Sequence, residues 1–313
     1  MYHIFFENYT KKVWGIHPSE LPFDFLGQRI EKDGLIDILK NTFVAEKKLK
    51  SVTRDNLEQY FLRHFLYPHK GSGEFWEKVK GVLQEQGVNI LTNVDICRID
   101  PEKKHVEYYK DGKSDNISYD RIVLTNPLDE TLKFIGEEES LRNAFSSALR
   151  YRSLIFVNLE LENVHIEKEN VNKVHYIYLH DKRVVSGRIT FFSNWSSEMS
   201  MTENASCCLE YYCDINDDLL NEPDELLKEK AFADLKNGKY ISDENQIISF
   251  EVRKVSKCYP IALDKSVREN VIHAVEEKGI TLIGRLGRHE YISMAKCIEE
   301  AMTFAEEFEV PVK

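Results

Sequence analysis

The spacing of apolar residues changes along this chain. Through residues 16–70 it is helical. "ELPFDFLGQRI", "GLIDILKNTF" and "TRDNLEQYFLRHFL" carry apolar side chains three and four positions apart, and Thr53 or Asp55 suits a helix start. "GSGEFWEKVKGVLQEQG" keeps that period, with Gly71 and Gly73 in a loop, Phe75, Val79 and Val82 on one face, and Gly87 as the stop. The period then shortens. "VNILTNVDICRI" reads as a strand. "KKHVEYYKDGKSDNISYDRIVLTNP" reads as a hairpin turning at Asp111–Gly112, followed by a buried strand "RIVL". From about residue 149 strands dominate: "SLIFVNLEL", "VHYIYL", "RITFFSNW" and "SCCLEYYC". A helix "EPDELLKEKAFADLKNG", a strand "QIISFEVRKV", a helix over 264–278, a short strand "ITLIG" and a tail helix close the chain. A helix–strand–hairpin–strand succession is an α/β core element, here beside a strand-rich region.

The 313 residues exceed what one compact core usually holds, so two lobes are expected. Neither an internal repeat nor a low-complexity linker separates them, which points to lobes interleaved in sequence. The 42% hydrophobic share is enough to fill real cores. No apolar run approaches the roughly 18 residues of a membrane span, and Met1–Gly15 lacks the pattern of a secretory signal. Both features imply a soluble, cytoplasmic chain. A net charge of −11 argues against nucleic-acid backbones and anionic membranes. It leaves room for an anionic small molecule, because two or three arginines in one cleft reverse the local field. The acidic stretch Asp214–Asp218 reads as a solvated loop. The six cysteines form no CxxC and imply free thiols in a reducing compartment. No HExxH or GxSxG occurs, and His175 and His180 share no helix face with an acid, so neither metal nor nucleophile-elbow chemistry is expected.

Two segments carry candidate chemistry. In "TLIGRLGRHEYISM" a strand delivers Gly284, Arg285, Gly287 and Arg288 to a helix beginning near Tyr291–Met294. Glycines admit a ligand close to backbone, helix starts favour anions, and arginine offers a forked donor. The same residues also suit a tight strand-to-helix turn with two surface arginines. In "ENYTKKVWGIHPSELP", Tyr9 and Trp14 flank Lys11 and Lys12. Such rings can hold a flat heterocycle and the lysines can meet phosphate, or the segment is an amphipathic helix with aromatic anchors. No strand–GxGxxG–helix unit occurs in the sequence.

"YTKKVW" and "GRLGRHEYISM" together resemble the signature segments of UDP-galactopyranose mutases. More broadly they resemble the flavin-containing amine oxidase and protoporphyrinogen oxidase-like superfamily. "GSGEFWEKVKGVLQEQGVNILTNVDICRI", "YDRIVLTNPL", "SGRITFFSNWS" and "KCYPI" follow in the same order, so the resemblance covers nearly the whole chain. It implies an α/β (α+β) fold. An FAD-binding Rossmann-like domain, incomplete because its GxGxxG front is missing, would be interleaved with a substrate domain of mixed sheet plus helices. Residues 1–70 and 131–267 would form the substrate-binding domain, and 71–130 with 268–313 the remnant of the FAD domain. The resemblance makes Tyr9 and Trp14 a uracil wall. It makes Arg188, Tyr259, Arg285 and Tyr291 contacts to the substrate diphosphate, and Ile96, Gly284, Arg285, Gly287 and Met294 cofactor contacts.

In that family reduced FAD attacks the sugar's anomeric carbon and UDP leaves and returns. The implied function is a mutase-like flavoprotein fragment handling a UDP-sugar in surface polysaccharide (lipopolysaccharide) biosynthesis. The alternatives are a non-catalytic remnant or subunit that binds a UDP-sugar or a partner without flavin, and an amine- or porphyrinogen-oxidising flavoenzyme. Without the GxGxxG front FAD loses much of its cradle. The helix 74–86, the strand 89–99 and the tail helix would then show apolar faces needing a homodimer partner, a complementary fragment or a rearranged sheet.

Overall fold

The computed structural model describes residues 7–21, 67–136, 139–162, 174–199, 205–241 and 246–307. The three helices expected between residues 20 and 66 fall, beyond Leu21, outside these. The chain opens with α1 (Asn8–Trp14), capped by Gly15, whose φ of 71° accepts the left-handed turn. Next come α2 (Ser72–Glu85) and the antiparallel meander β1 (Val94–Asp100), β2 (His105–Lys110) and β3 (Lys113–Ser118). β4 (Ile122–Leu124), α3 (Leu128–Phe134) and α4 (Glu139–Ala148) lead into β5 (Leu149–Glu162), β6 (Tyr176–Tyr178), β7 (Arg188–Phe191) and β8 (Ala205–Asp214). Then follow α5 (Asp224–Asn237), β9 (Gln246–Ala262), α6 (Lys265–Glu276), β10 (Ile280–Leu282), the one-turn α7 (Gly284–Gly287) and α8 (Met294–Glu306).

The turn at Asp111–Gly112 has positive φ at both residues, 50° and 75°, as a two-residue hairpin loop requires. α2 ends in a Schellman arrangement: Val88 N–H reaches Leu83 O at 3.0 Å, and Gly87 N–H reaches Gln84 O at 3.0 Å. The expected strand over 88–99 is shorter than its apolar run, because pairing with β2 begins at Val94.

β5 organises the larger lobe. It pairs antiparallel with β8 on one side and β9 on the other, giving the order β6–β7–β8–β5–β9 with every ladder antiparallel. Its odd positions Ile155, Val157, Leu159 and Leu161 enter a core under α5 with Leu227, Ala231 and Leu235. Its even position Leu154 joins the opposite core, with Val13 and Trp14 of α1. Period-two alternation therefore separates a sealed face from the face that α1 covers.

β4 and β10 form a parallel pair in register Ile122–Ile280 and Leu124–Leu282. The five-stranded sheet lies between them in sequence, so the chain is interleaved. α3, α4 and α6 pack on this pair through Leu128, Leu132, Phe145 and Val275. By contrast, neither α2 nor α8 has a buried residue. Phe75, Trp76, Val82, Leu91, Ile117 and Met302 are exposed. Among the described residues the apolar face expected on helix 74–86 and the tail helix is therefore uncovered. Among the described residues no helix is long and apolar enough to cross a membrane, and no cluster of side chains suits a metal.

Candidate functional site

The two segments singled out from sequence meet on the even-numbered face of the sheet. Trp14, at the C-terminal end of α1, lies 5.7 Å from Tyr259 of β9 and 5.2 Å from Tyr291, which precedes α8 (ring centroids). Tyr259 and Tyr291 meet edge to face at 5.0 Å. The Arg285 guanidinium covers both tyrosines, 5.5 Å from Tyr259 and 4.8 Å from Tyr291. Its Nε donates to Ile292 O at 2.7 Å. Among the described residues no carboxylate pairs with Arg285. It is a cation resting on aromatic faces, an arrangement that stabilises charge without neutralising it.

Arg188 is placed by strand register. Tyr178, Arg188, Glu210 and Phe156 are successive partners across β6, β7, β8 and β5. Arg188 Nε donates to Glu210 Oε1 at 2.8 Å, and Tyr212 Oη donates to Glu210 Oε2 at 3.1 Å. Burial alone would lower the Arg188 pKa, but the Glu210 carboxylate outweighs it and raises it, so the guanidinium stays charged. Glu210 is 3% exposed and belongs to this site. Its signal in the sequence was a lone acid inside the buried strand "SCCLEYYC". Arg152 was also missed. It is buried beneath α1, donating to Val13 O at 2.9 Å and Lys12 O at 3.3 Å and pairing with Asp214. Those carbonyls end α1, where cations are favoured. A Cβ on Gly15 would lie 2.6 Å from Arg152 Nη1, so glycine is needed there for space as well as conformation.

Burial is the first cause raising the pKa values of Tyr212 and Tyr259, so both phenols stay protonated, and that of Tyr212 donates to Glu210. It also pushes the Cys258 thiol up to about 11, against the pull of Arg285.

Several expectations change. Trp14 is 2% exposed, a wall already packed by protein and not an open stacking face. Five helical positions put Tyr9 and Trp14 roughly 140° apart. Tyr9 lies 5.2 Å from Tyr178 and 5.0 Å from His180, on the β6 side. The lysines do not offer themselves to phosphate: Lys11 pairs with Glu7, and Lys12 is held by backbone carbonyls. The acidic stretch Asp214–Asp218 is exposed as expected, although Asp214 itself ends β8 and reaches Arg152.

The elbow keeps its glycines for geometric reasons. Gly284 has φ 79°, and a Cβ on Gly287 would lie 2.7 Å from Leu124 O, so α7 sits tightly against the end of β4. Yet Gly284 N–H donates to Glu300 Oε2 at 3.0 Å. A pyrophosphate would have to displace that carboxylate. Met294 opens α8 half-exposed, its sulfur accepting from the Trp76 indole at 3.3 Å. Ile96 lies on β1 opposite Tyr108, beside a bulge, at 36% exposure. Of the positions expected to hold a dinucleotide, Gly284, Arg285 and Gly287 lie on α7 and Met294 opens α8, whereas Ile96 lies on the separate β1–β3 meander.

The interleaving of a parallel pair with an antiparallel sheet, roofed by an aromatic helix, defines the class: this is a fold shared with solved structures of a UDP-galactopyranose mutase and a putrescine oxidase. The particular likenesses are to solved structures. Reduced UDP-galactopyranose mutase superposes with a TM-score of 0.71 at 18% identity, covering 93% of this chain and 59% of that one. An Exiguobacterium sp. 255-15 protein described as a protoporphyrinogen oxidase gives 0.58 at 15%, covering 85% and 57%. Putrescine oxidase with putrescine bound gives 0.51 at 10%, covering 76% and 53%. The chain thus spans less than two-thirds of each. No family model matches it, nor does any curated protein.

Proposed function

We propose that the cleft between α1, β7, β9 and the Gly284–Met294 segment binds a nucleotide-sugar diphosphate. By the likeness to the mutase it is a UDP-sugar, used in surface polysaccharide synthesis in the cytoplasm. The observation that carries this reading is Arg285, a cation paired with no carboxylate among the described residues, lying on Tyr259 and Tyr291 beside Trp14. A diphosphate supplies the missing negative charge. Arg288 is paired with Glu276 and is not a second such donor. Arg188, kept charged by Glu210, and the protonated phenol of Tyr259 add donors on the same face, while the Tyr212 hydroxyl is already spent on Glu210. Tyr9 lies at its outer edge with Tyr178 and His180. Residues 1–70 and 131–267 are read as the substrate-binding part, and 71–130 with 268–313 as the remnant of a dinucleotide-binding part.

Flavin, where present, supplies the redox or nucleophilic chemistry in this superfamily. Here Glu300 at the Gly284 N–H and the solvent-facing Ile96 argue for binding of the sugar nucleotide without flavin. A complementary polypeptide that added strands at the open edge of β4 would change this, and would also cover α2 and α8. The likenesses to the two oxidases support an amine- or porphyrinogen-oxidising reading instead.

Titration calorimetry with UDP and UDP-galactose, beside a visible spectrum of the purified chain, separates these. A colourless protein that binds UDP supports the proposal. A yellow one that ignores UDP supports the oxidase reading. Absence of both UDP binding and flavin removes each.

A further inference from the structure

Lys12 Nζ lies 2.9 Å from Leu179 O, 3.2 Å from Asp181 O, 2.8 Å from Val184 O and 3.0 Å from Ser186 O. An ammonium has three N–H bonds. Four carbonyls around it are the coordination of an ion more than a set of single hydrogen bonds. No described carboxylate forms an ion pair with it. The anion stands on the far side of the loop. Asp234, 4% exposed, accepts Val185 N–H at 3.1 Å, Ser186 N–H at 2.8 Å and the Tyr211 hydroxyl at 3.2 Å. The Val184–Val185 peptide therefore turns its carbonyl to Lys12 and its N–H to Asp234. Its dipole lies between a buried anion and a half-buried cation, and each holds the loop for the other.

We infer that the loop from Leu179 to Ser186 is a carbonyl cage for a monovalent cation of ammonium size, filled by the chain's own Lys12, and that this internal cation latches α1 to the strand bearing Arg188. Rings of backbone carbonyls are how proteins replace the hydration shell of such ions. The loop runs directly into Gly187 and Arg188. Gly187 N–H donates to Glu210 O at 2.8 Å, and a Cβ on Gly187 would lie 3.6 Å from Lys12 Cδ and 2.5 Å from the Tyr212 ring. Lys12 is thus a positioning residue. It fixes how far Tyr9 and Trp14 stand from Arg188, a role that rests on the nucleotide-sugar reading, whereas the cage itself does not.

Lys12→Ala empties the cage. Its thermal unfolding is compared with the wild type's in potassium, ammonium and N-methylglucamine chlorides at equal ionic strength. The wild type should melt alike in all three. The variant should melt several degrees lower in N-methylglucamine and regain at least half of that loss in ammonium or potassium. A variant that melts like the wild type, or equally low in every salt, overturns the cage. Lys12→Arg, with a flat and larger cation, should also melt lower, and its matching the wild type overturns the size selectivity. Should Lys12→Ala not fold in any salt, Lys12→Met decides, because it keeps the stem beside Gly187 without the charge: melting equal to the wild type's sinks the inference, and a loss of several degrees supports it. UDP affinity is the second readout. It should fall at least tenfold in Lys12→Ala without a small cation and return with ammonium. Cation-dependent melting with unchanged UDP affinity removes the link to the site and leaves the cage. A wild type that binds no UDP removes the proposed function, while melting still judges the cage.

Discussion

The Arg285 guanidinium lies 4.8 Å above the ring of Tyr291 and pairs with no carboxylate among the described residues, whereas Arg188, on the same face of the sheet, is paired with Glu210. The two arginines of the candidate site therefore have different tasks. One is available to an incoming anion, and the other is half committed to the fold.

Arg285→Ala should weaken UDP binding by roughly tenfold to a hundredfold, the worth of a charge-assisted hydrogen bond. Arg285→Lys should not restore it, because a point charge lacks the planar fork that stacks on Tyr259 and Tyr291. Calorimetric titration measures both. Unchanged affinity in the alanine variant counts against the site.

Glu210→Ala should cost stability heavily, by about 3 kcal/mol, because it leaves Arg188 and the Tyr212 hydroxyl without their acceptor in a buried place. Replacing both Arg188 and Glu210 by Met should recover much of that loss, since an apolar pair leaves no orphaned charge. Urea unfolding of Glu210→Met, Arg188→Met and the double replacement tests the coupling. Additive losses would show that the pair is not a unit.

His289 is buried between Phe145 and Tyr151, its Nε2 3.2 Å from Ile261 O. Burial drives its pKa down to about 4. A depressed histidine is neutral when folded but takes a proton when unfolded. Its share of stability is therefore complete above the unfolded value near 6.5 and declines as pH falls toward 4, by up to about 3 kcal/mol. His289→Asn accepts the positive φ of 49° and does not titrate. Melting curves from pH 7 to 4 should be flatter in that variant. Parallel curves would mean that His289 does not set the slope.

The uncovered face predicts association. Phe75 and Trp76 are 45% and 43% exposed on a helix with no buried residue, and among the described residues the parallel pair β4–β10 is only two strands wide. Parallel sheets this narrow are normally covered and extended. Light scattering at rising concentration should give a mass above the 36.6 kDa of one chain, and Phe75→Glu with Val82→Glu should lower it. A strictly monomeric wild type that binds no hydrophobic dye there would show the face to be satisfied without a partner.

Much of the fold was legible from local chemistry. Asp111–Gly112 has one easy hairpin geometry, Gly87 closes α2 by positive φ, and the alternation of "SLIFVNLEL" marks a strand whatever its partner. The joining of the two signature segments was legible too, through their order along a familiar chain. Lys12 shows where reading stopped. Its charge suggested phosphate, but the loop that encloses it begins 167 residues later. Trp14 likewise read as an open ring until Tyr259 and Tyr291 were seen against it.

By itself the sequence determined the periods, the turns, the interleaved order of helices and strands and the chemical types available at the cleft. These depend on neighbours within a few residues, where backbone sterics and side-chain spacing act directly. Tertiary structure alone decided which polar groups are spent and which are open: Lys12 on carbonyls, Arg188 on Glu210, the Gly284 N–H on Glu300, Arg285 on two rings. Those pairings follow from strand register and helix docking over long separations, and a one-residue slip of β7 against β8 would have aimed Arg188 at the other face.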